Sequence, residues 1–180
     1  MLSALEQPDF FSQTDHAALA ALGLDSSDNG NLFGALMISP LLELCAADGA
    51  TTTAEFAVLE ECMKSLEHEF ELASKEELES VGTSMGLLPF VPSAWCDDDF
   101  LRARKLLATA ISRLSDDGQH AIRNWISKNA LHVADASGGI FHLMNISRNE
   151  RPILHAIIED LHLSKCAEGL QLIGKTETPA

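Results

Sequence analysis

The sequence predicts an all-α fold, a compact bundle of about seven to eight helices built from two related halves. Leu, Ala, Ile and Glu dominate the composition, aromatic residues make up only 6%, and Tyr does not occur, which favours helices over strands. Apolar residues also follow Glu55 and Glu150 at the same offsets of 3, 4, 7 and 11 positions. Since this spacing places side chains on one helical face, it indicates an internal duplication.

The first 30 residues read as an N-terminal extension. They contain one predicted helix, from about Asp15 to Leu22, followed by a turn over Asp25–Gly30. Gly30 occupies the sixth position of a calcium-loop pattern, but Leu36 stands where a bidentate Glu is needed. We therefore interpret this segment as a turn.

Two helices form the first half of the duplication. The first runs from Leu32 to Ala47, and its Ser39-Pro40 step predicts either a kink or the start of a second helical segment. It ends at Gly49. Thr52-x-x-Glu55 is a capping box, which predicts a second helix reaching about Glu69.

A connector and three further helices are predicted in the middle of the chain. Another capping box opens a helix over Ser74–Met85, and the prolines of Gly86–Ser93 indicate a connector between the halves. Asp97 is a suitable N-cap for a helix through Leu114. After the turn Ser115–Gly118, the next helix ends near Asp135.

The second half carries a distorted copy of the first motif. Ser137–Gly139 breaks the preceding helix, and Ser147-x-x-Glu150 is a capping box for a helix to about Leu163. A short helix follows over Ser164–Leu172. The predicted organisation is an N-terminal extension (1–30), a helical domain (31–173) and a C-terminal tail (174–180).

The strongly acidic balance limits the classes of partner. The formal charge is −15, from 27 acidic and 12 basic residues. Nucleic-acid binding is not expected, because that affinity comes largely from Lys and Arg displacing counterions. Adsorption to an anionic membrane is disfavoured for the same reason, and no run of about 20 apolar residues indicates membrane insertion. The remaining explanations for the acidic charge are binding of cations, binding of basic partners, or plain solubility.

The location predicted from the sequence is the cytoplasm. The N-terminus shows no signal-peptide pattern, because charged residues and Pro8 interrupt its short apolar start. The four cysteines are far apart and form no Cys-x-x-Cys motif. Cys45 and Cys62 fall on apolar helical faces, where a reduced, buried thiol is the ordinary interpretation.

The segment Leu44–Gly49, a capping Thr, Glu55 and the amphipathic helix after it resemble the tellurite-resistance TerB-like family. Members of that family look like all-α domains with two related halves, each with an Ala-Asp-Gly turn and an acidic helix start. The resemblance covers roughly residues 32–172. The second half departs from the pattern, since Ala136 replaces the Gly and the segment 137–146 is an insertion.

The resemblance implies a divalent-cation site at Asp48, Glu55, Asp135 and Glu150. The helical wheel directs Glu55 and Glu150 inward, where a carboxylate must be paired, hydrogen-bonded, protonated or bound to a metal. Hard oxygen ligands of this kind suit calcium, magnesium or manganese, and zinc less well. Capping is the alternative, since it explains both glutamates without a ligand.

Two histidine patterns offer weaker metal hypotheses. His155, Glu159 and His162 share a helical face, and Glu159-x-x-His162 has the spacing found in di-iron bundles. That design needs a second Glu-x-x-His, which this chain lacks, so we expect these three side chains to be solvated. His132 lies three positions before Asp135 and could add an imidazole, although a surface position is the simpler interpretation.

Three functions are compatible with these features. The first is a non-enzymatic TerB-like module that binds a divalent cation or docks a protein partner in a bacterial stress-response context. The resemblance implies this, because relatives are linked to tellurite and other chemical stresses and are fused to J-domain co-chaperones. The alternatives are a metal-dependent enzyme of helical-bundle type and a purely structural interaction domain. A homodimer is compatible with each of them.

Overall fold

The computed structural model describes residues 2–24, 26–47, 52–70, 95–137, 146 and 148–176 of the chain. These residues form seven α-helices, two short 3-10 helices and no strand, which confirms the predicted all-α bundle. The α-helices are α1 (Gln13–Ala21), α2 (Asn29–Ala46), α3 (Thr53–Phe70), α4 (Asp97–Ser112), α5 (Asp116–Ser137), α6 (Glu150–Asp160) and α7 (Ala167–Thr176), and the 3-10 helices span Ser3–Glu6 and Leu163–Lys165.

Several predictions fall outside the described residues. These are the Ser74–Met85 helix, the Gly86–Ser93 connector, most of the 137–146 insertion and the Asp48–Gly49 turn. Within the described part of the chain, no helix is both long and apolar enough to cross a membrane.

The first two α-helices begin earlier than the sequence pattern predicted. Ser12 is the N-cap of α1: its backbone N–H donates to Asp15 Oδ2 (2.8 Å), and the Asp15 N–H donates to Ser12 Oγ (3.2 Å). The Asp28 side chain caps α2 by accepting a hydrogen bond from the Asn31 N–H (2.9 Å). The predicted turn is therefore wrong for residues 29 and 30, since Asp28 caps a helix that starts at Asn29, three residues before the first apolar position.

Helix α2 is the centre of the core. Every residue from Leu32 to Cys45 is buried, because α3, α4, α5 and α6 all pack against this helix. A helix that is apolar on all sides is expected to be covered on all sides. Helices α3, α4, α5 and α6 thus surround one apolar helix.

Pro40 lies inside α2, which continues as one helix through Ala46. Proline has no N–H, so the carbonyl oxygen of Leu36, four residues earlier, loses its usual helical donor. The Ser39 hydroxyl donates to that oxygen instead, at 2.8 Å. Of the two alternatives predicted for Ser39-Pro40, the start of a separate second segment is not observed.

Side-chain contacts fix the directions of the helices. Cys62 lies 3.2 Å from Asn129 Oδ1 and Ser65 lies 2.9 Å from Trp125 Nε1, so α3 and α5 are antiparallel. Glu43 near the end of α2 pairs with Arg104 in the middle of α4, and the end of α2 and the start of α4 line one cavity. Helix α6 begins beside the start of α4. One end of the bundle therefore gathers the end of α2 and the starts of α4 and α6.

The N-terminal residues belong to the same core. Leu5, Phe10 and Phe11 are buried in it, and Phe10 stacks edge-on against Phe33 of α2 with ring centroids 6.1 Å apart. Arg113, just after α4, donates to the Phe10 carbonyl (2.6 Å) and pairs with Asp15 Oδ2 (2.8 Å). The segment predicted as an extension is thus packed against the helical domain.

The C-terminal helices differ in their boundaries from the prediction. Helix α6 ends at Asp160, whereas the apolar pattern predicted an end near Leu163. His162 adopts a left-handed backbone (φ 54°), which terminates the helix although no glycine is present. The last helix is displaced as well, since it spans Ala167–Thr176 instead of Ser164–Leu172.

Candidate functional site: the acidic pole of the bundle

Six acidic side chains lie at the end of the bundle where α2 ends and α3, α4 and α6 begin. We call this end the acidic pole and define it by Glu43, Glu55, Asp97, Asp98, Asp135 and Glu150. The first turns of α3, α4 and α6 each carry at least one of these acids. A carboxylate at a helix start is stabilised by the positive end of the helix dipole, so the position alone does not require a ligand.

Glu55 is buried, with 2% of its surface exposed, and it caps its own helix. The Thr52 backbone N–H donates to Glu55 Oε2 (2.6 Å), and the Glu55 N–H donates to Thr52 Oγ1 (3.2 Å). The predicted capping box is therefore confirmed, as is the inward direction of the side chain. One of its carboxylate oxygens already serves a structural purpose.

Glu150, the equivalent residue of the second half, is also buried, with 1% exposed. It is the first residue of α6, and Asn149 occupies the N-cap position. Ser147, which the predicted capping box requires, lies outside the described residues. The inward direction of Glu150 is confirmed, and Pro152 lies in the first turn of α6 as expected.

The two repeat glutamates both act electrostatically on Cys45 near the end of α2. Burial raises the pKa of the Cys45 thiol, and the negative charges of Glu55 and Glu150 raise it further. The two glutamates are 95 residues apart in the sequence, and one comes from each half of the duplication. Both are therefore buried within electrostatic range of the same thiol.

Asp135 and Asp48 complete the set predicted from the sequence. Continuing the antiparallel contact of α3 and α5 along both helices brings Asp135 to the level of Glu55, because each residue advances a helix by about 1.5 Å. Asp135 therefore shares the acidic pole, but its side chain is exposed. Asp48 lies outside the described residues.

The described residues alone do not form a metal centre. Among residues 2–24, 26–47, 52–70, 95–137, 146 and 148–176, no three His, Cys, Asp or Glu side chains are arranged to hold a metal ion. Glu55 and Glu150 provide two buried carboxylates, and calcium requires about six to eight oxygen ligands. A cation at this pole would need further oxygen ligands.

An ion network that sequence reasoning missed lies at the same end of the bundle. Glu43 is 8% exposed and accepts hydrogen bonds at both carboxylate oxygens from Arg104 Nη1. Arg104 Nε also donates to Asp160 Oδ2 at 2.8 Å. Burial raises the pKa of the Glu43 carboxyl, and the hydrogen bond and charge of Arg104 offset part of that rise. This network joins α2, α4 and α6.

A cavity of about 560 Å³ opens over this network. Its polar lining includes Glu43, Arg104, Asp97 and Asp98, and its apolar lining includes Phe100, Leu101, Pro152 and Ile153. The cavity thus combines an apolar surface with an excess of negative charge. Such a lining fits a cationic, partly apolar group better than an anion.

The histidine patterns do not form a site. His155 and Glu159 are exposed on α6, and His162 is exposed beyond its end, so the three residues do not share one helix. Their predicted solvation is confirmed. His132 is also exposed on α5, although it lies within one turn of Asp135.

The four cysteines are present as thiols. Cys45, Cys62 and Cys166 are buried and Cys96 is exposed, which confirms the predicted buried state of Cys45 and Cys62. Burial raises the pKa of Cys62 to about 12. The thiols of Cys45 and Cys62 are therefore protonated at neutral pH and are poor nucleophiles.

No protein-family model, curated protein or solved structure matches this chain. The resemblance to the TerB-like family accordingly rests on the residues around Asp48 and Glu55, and it stays a prediction.

Proposed function

We propose that this chain is a non-enzymatic TerB-like module that binds a divalent cation at the acidic pole. The cation would be calcium, magnesium or manganese, with zinc less suitable, because the available ligands are carboxylate oxygens. The supporting observation is that Glu55 and Glu150, one from each half, are both buried and both raise the pKa of the Cys45 thiol through their charge. We place the module in the cytoplasm, within a bacterial stress-response assembly of the tellurite-resistance type.

The arrangement favours binding over catalysis. The exposed His155 face lacks the concave, water-excluding surroundings that a metal-dependent enzyme needs. At the acidic pole, Glu55 and Glu150 lie at the starts of α3 and α6, two helices that both pack on α2, which suits a site that links helices when it is filled. A cation there would strengthen the contact between the two halves of the domain.

Thermal melting of chelator-treated protein tests this proposal. A ligand at 100 times its dissociation constant adds about 2.7 kcal/mol to the free energy of unfolding. For a chain of this size that corresponds to a rise in Tm of about 5–11 °C. We expect a saturable rise for one of calcium, magnesium, manganese or zinc, and its loss in the Asp48→Asn/Glu150→Gln double variant.

The matched control is Glu159→Gln, which removes one exposed negative charge from the same helix as Glu150. It should keep the full ion-dependent rise in Tm. An absent rise for every ion would contradict the proposal, and so would an equal rise in the double variant and the unsubstituted chain. Glu55 and Glu150 would then be helix caps.

Protein docking is the second candidate, and the 560 Å³ cavity favours it. A partner segment that presents a Lys or Arg beside an apolar side chain would match the acidic rim and the apolar surface. Asp97→Asn/Asp98→Asn should weaken binding of a basic, amphipathic peptide and reduce its salt dependence. Sedimentation equilibrium of the chain alone shows whether the occupant is a second copy of this chain or a different protein.

A further inference from the structure

A second cavity, of about 490 Å³, lies away from the acidic pole, between the end of α3, the middle of α5 and the start of α7. We call it the Trp125 cavity and define it by Glu69, Phe70, Asn124, Trp125, Lys128 and Glu168, with His68 at its edge. The proposed cation site does not use any of these residues. Two features of the lining indicate a ligand of particular chemistry.

The first feature is a pair of buried acceptor atoms without donors. Asn124 Oδ1 and Glu168 Oε2 are both shielded from solvent, and neither accepts a hydrogen bond from the part of the chain that the structure describes. A buried acceptor that is left dry costs about 1–3 kcal/mol, and more when it is charged. Two such atoms on one cavity call for a ligand that donates at least two hydrogen bonds.

The second feature is that aromatic and acidic side chains in the wall of the cavity are held by hydrogen bonds and ring contacts. The Trp125 indole N–H donates to Ser65 Oγ (2.9 Å), and the Ser65 hydroxyl donates to Glu69 Oε1 (2.7 Å). Phe70 meets Trp125 edge-on, with ring centroids 6.4 Å apart. Ser65 thus engages both the indole N–H and one oxygen of the exposed Glu69, and the indole ring forms part of the wall.

We propose that the Trp125 cavity binds an alkylguanidinium group, such as the side chain of an arginine. The planar cation can donate separate N–H groups to Asn124 and Glu168, and the Trp125 ring forms part of the wall beside it. An anion is disfavoured by Glu69 and Glu168, and an apolar ligand would leave both acceptors dry. A compact ammonium ion is more strongly hydrated and lacks the planar fork.

Titration with n-butylguanidinium, followed by tryptophan fluorescence, tests the proposal. The protein contains two tryptophans, so Trp95→Phe isolates the signal of Trp125. We expect a saturable change, and binding at least about tenfold tighter than that of n-butylurea, a neutral ligand of the same shape. Calorimetry on the unsubstituted chain repeats the comparison without relying on the Trp95 variant.

Three variants connect the binding to this cavity. Glu168→Gln should weaken n-butylguanidinium binding by about tenfold, since a hydrogen bond to a charged group is lost. Lys128→Ala should tighten it by about twofold to fivefold, because an exposed like charge is removed, and misfolding cannot produce such a gain. Glu159→Gln, on a different helix, should leave the affinity unchanged.

Three results would overturn the proposal. One is the absence of a saturable response, and another is equal binding of n-butylguanidinium and n-butylurea. The third is unchanged affinity in a folded Glu168→Gln variant. Each of them would mean that water, and not a guanidinium group, satisfies the acceptor atoms of Asn124 and Glu168.

Discussion

Replacing Arg104 with methionine leaves Glu43 inside the bundle without the guanidinium that faces both of its carboxylate oxygens. Removing one partner of a buried ion pair costs about 3–5 kcal/mol, because the other charge stays buried and unpaired. We expect a loss of this size in Arg104→Met, since only 8% of the Glu43 surface is exposed. Asp160 adds little, because about a third of its side chain reaches solvent. With about 2–4 °C per kcal/mol, the Tm should fall by about 6–20 °C.

The loss should depend on pH with a defined sign. Burial raises the folded-state pKa of Glu43 above its unfolded value, so the folded chain takes up this proton at a higher pH than the unfolded chain. Folding is therefore favoured as the pH falls through that window. In Arg104→Met the guanidinium no longer lowers the pKa of Glu43, so the gap between the folded and unfolded pKa values of Glu43 widens. The deficit relative to the unsubstituted chain should shrink between pH 7 and about pH 5.

Urea denaturation followed by circular dichroism at both pH values measures this deficit. Arg102→Met is the matched control, because Arg102 is exposed and pairs with Asp99 only at 3.7 Å; it should change the free energy of unfolding by less than about 0.5 kcal/mol. The Glu43→Leu/Arg104→Met double variant should recover most of the loss, since neither charge is left buried. A loss below about 1 kcal/mol, or a deficit that does not change with pH, would refute this account of the network.

Three further predictions follow from local contacts. Ser39→Ala should lower the free energy of unfolding by about 1–3 kcal/mol, because the Leu36 carbonyl loses its hydrogen-bond donor. Adding Pro40→Ala should restore most of that stability, since it supplies a backbone N–H to the same carbonyl. Additive losses in a double-mutant cycle would contradict this. A thiol reagent should modify Cys96 alone in the native protein and the remaining three thiols only after unfolding, as followed by absorbance; rapid native modification of a second thiol would contradict the burial. Asp15→Asn should cost about 0.5–2 kcal/mol at pH 7, because the carboxylate that accepts from the Ser12 N–H and pairs with Arg113 loses its charge. Although burial opposes it, hydrogen bonding lowers the pKa of Asp15, so this contribution is lost as the pH falls through the folded-state value, and a pH-independent loss in urea denaturation would contradict it.

The sequence predicted best those features that depend on neighbours within one helix. The apolar spacing after Glu55 and Glu150 anticipated both the helices and the burial of the two carboxylates, because a side chain in phase with an apolar stripe points inward. The Thr52 capping box was predicted for a similar reason, since both of its partners lie within four residues. Even so, the start of α2 was placed at the first apolar residue and not after Asp28.

The network around Arg104 could not be predicted from local patterns. Its carboxylate partners are 61 and 56 residues away in the sequence, and their meeting depends on how α2, α4 and α6 pack. One signal was present: Glu43 is a single charge within the apolar run from Leu32 to Cys45, and such a charge requires a partner. The sequence predicted the end of α6 too late, because Leu161 and Leu163, on either side of the left-handed His162, continue the apolar pattern.

The central position of α2 has a consequence for how the chain folds during synthesis. Its buried run is translated well before α4 and α5, and about 65 residues separate the end of α2 from the end of α4. Helix α3 follows at once and covers one face of α2, but at about 5–20 residues per second the face that α4 covers stays exposed for roughly 3–13 s. A nascent chain of this protein therefore presents a long hydrophobic segment to chaperones until the helices that surround it emerge from the ribosome.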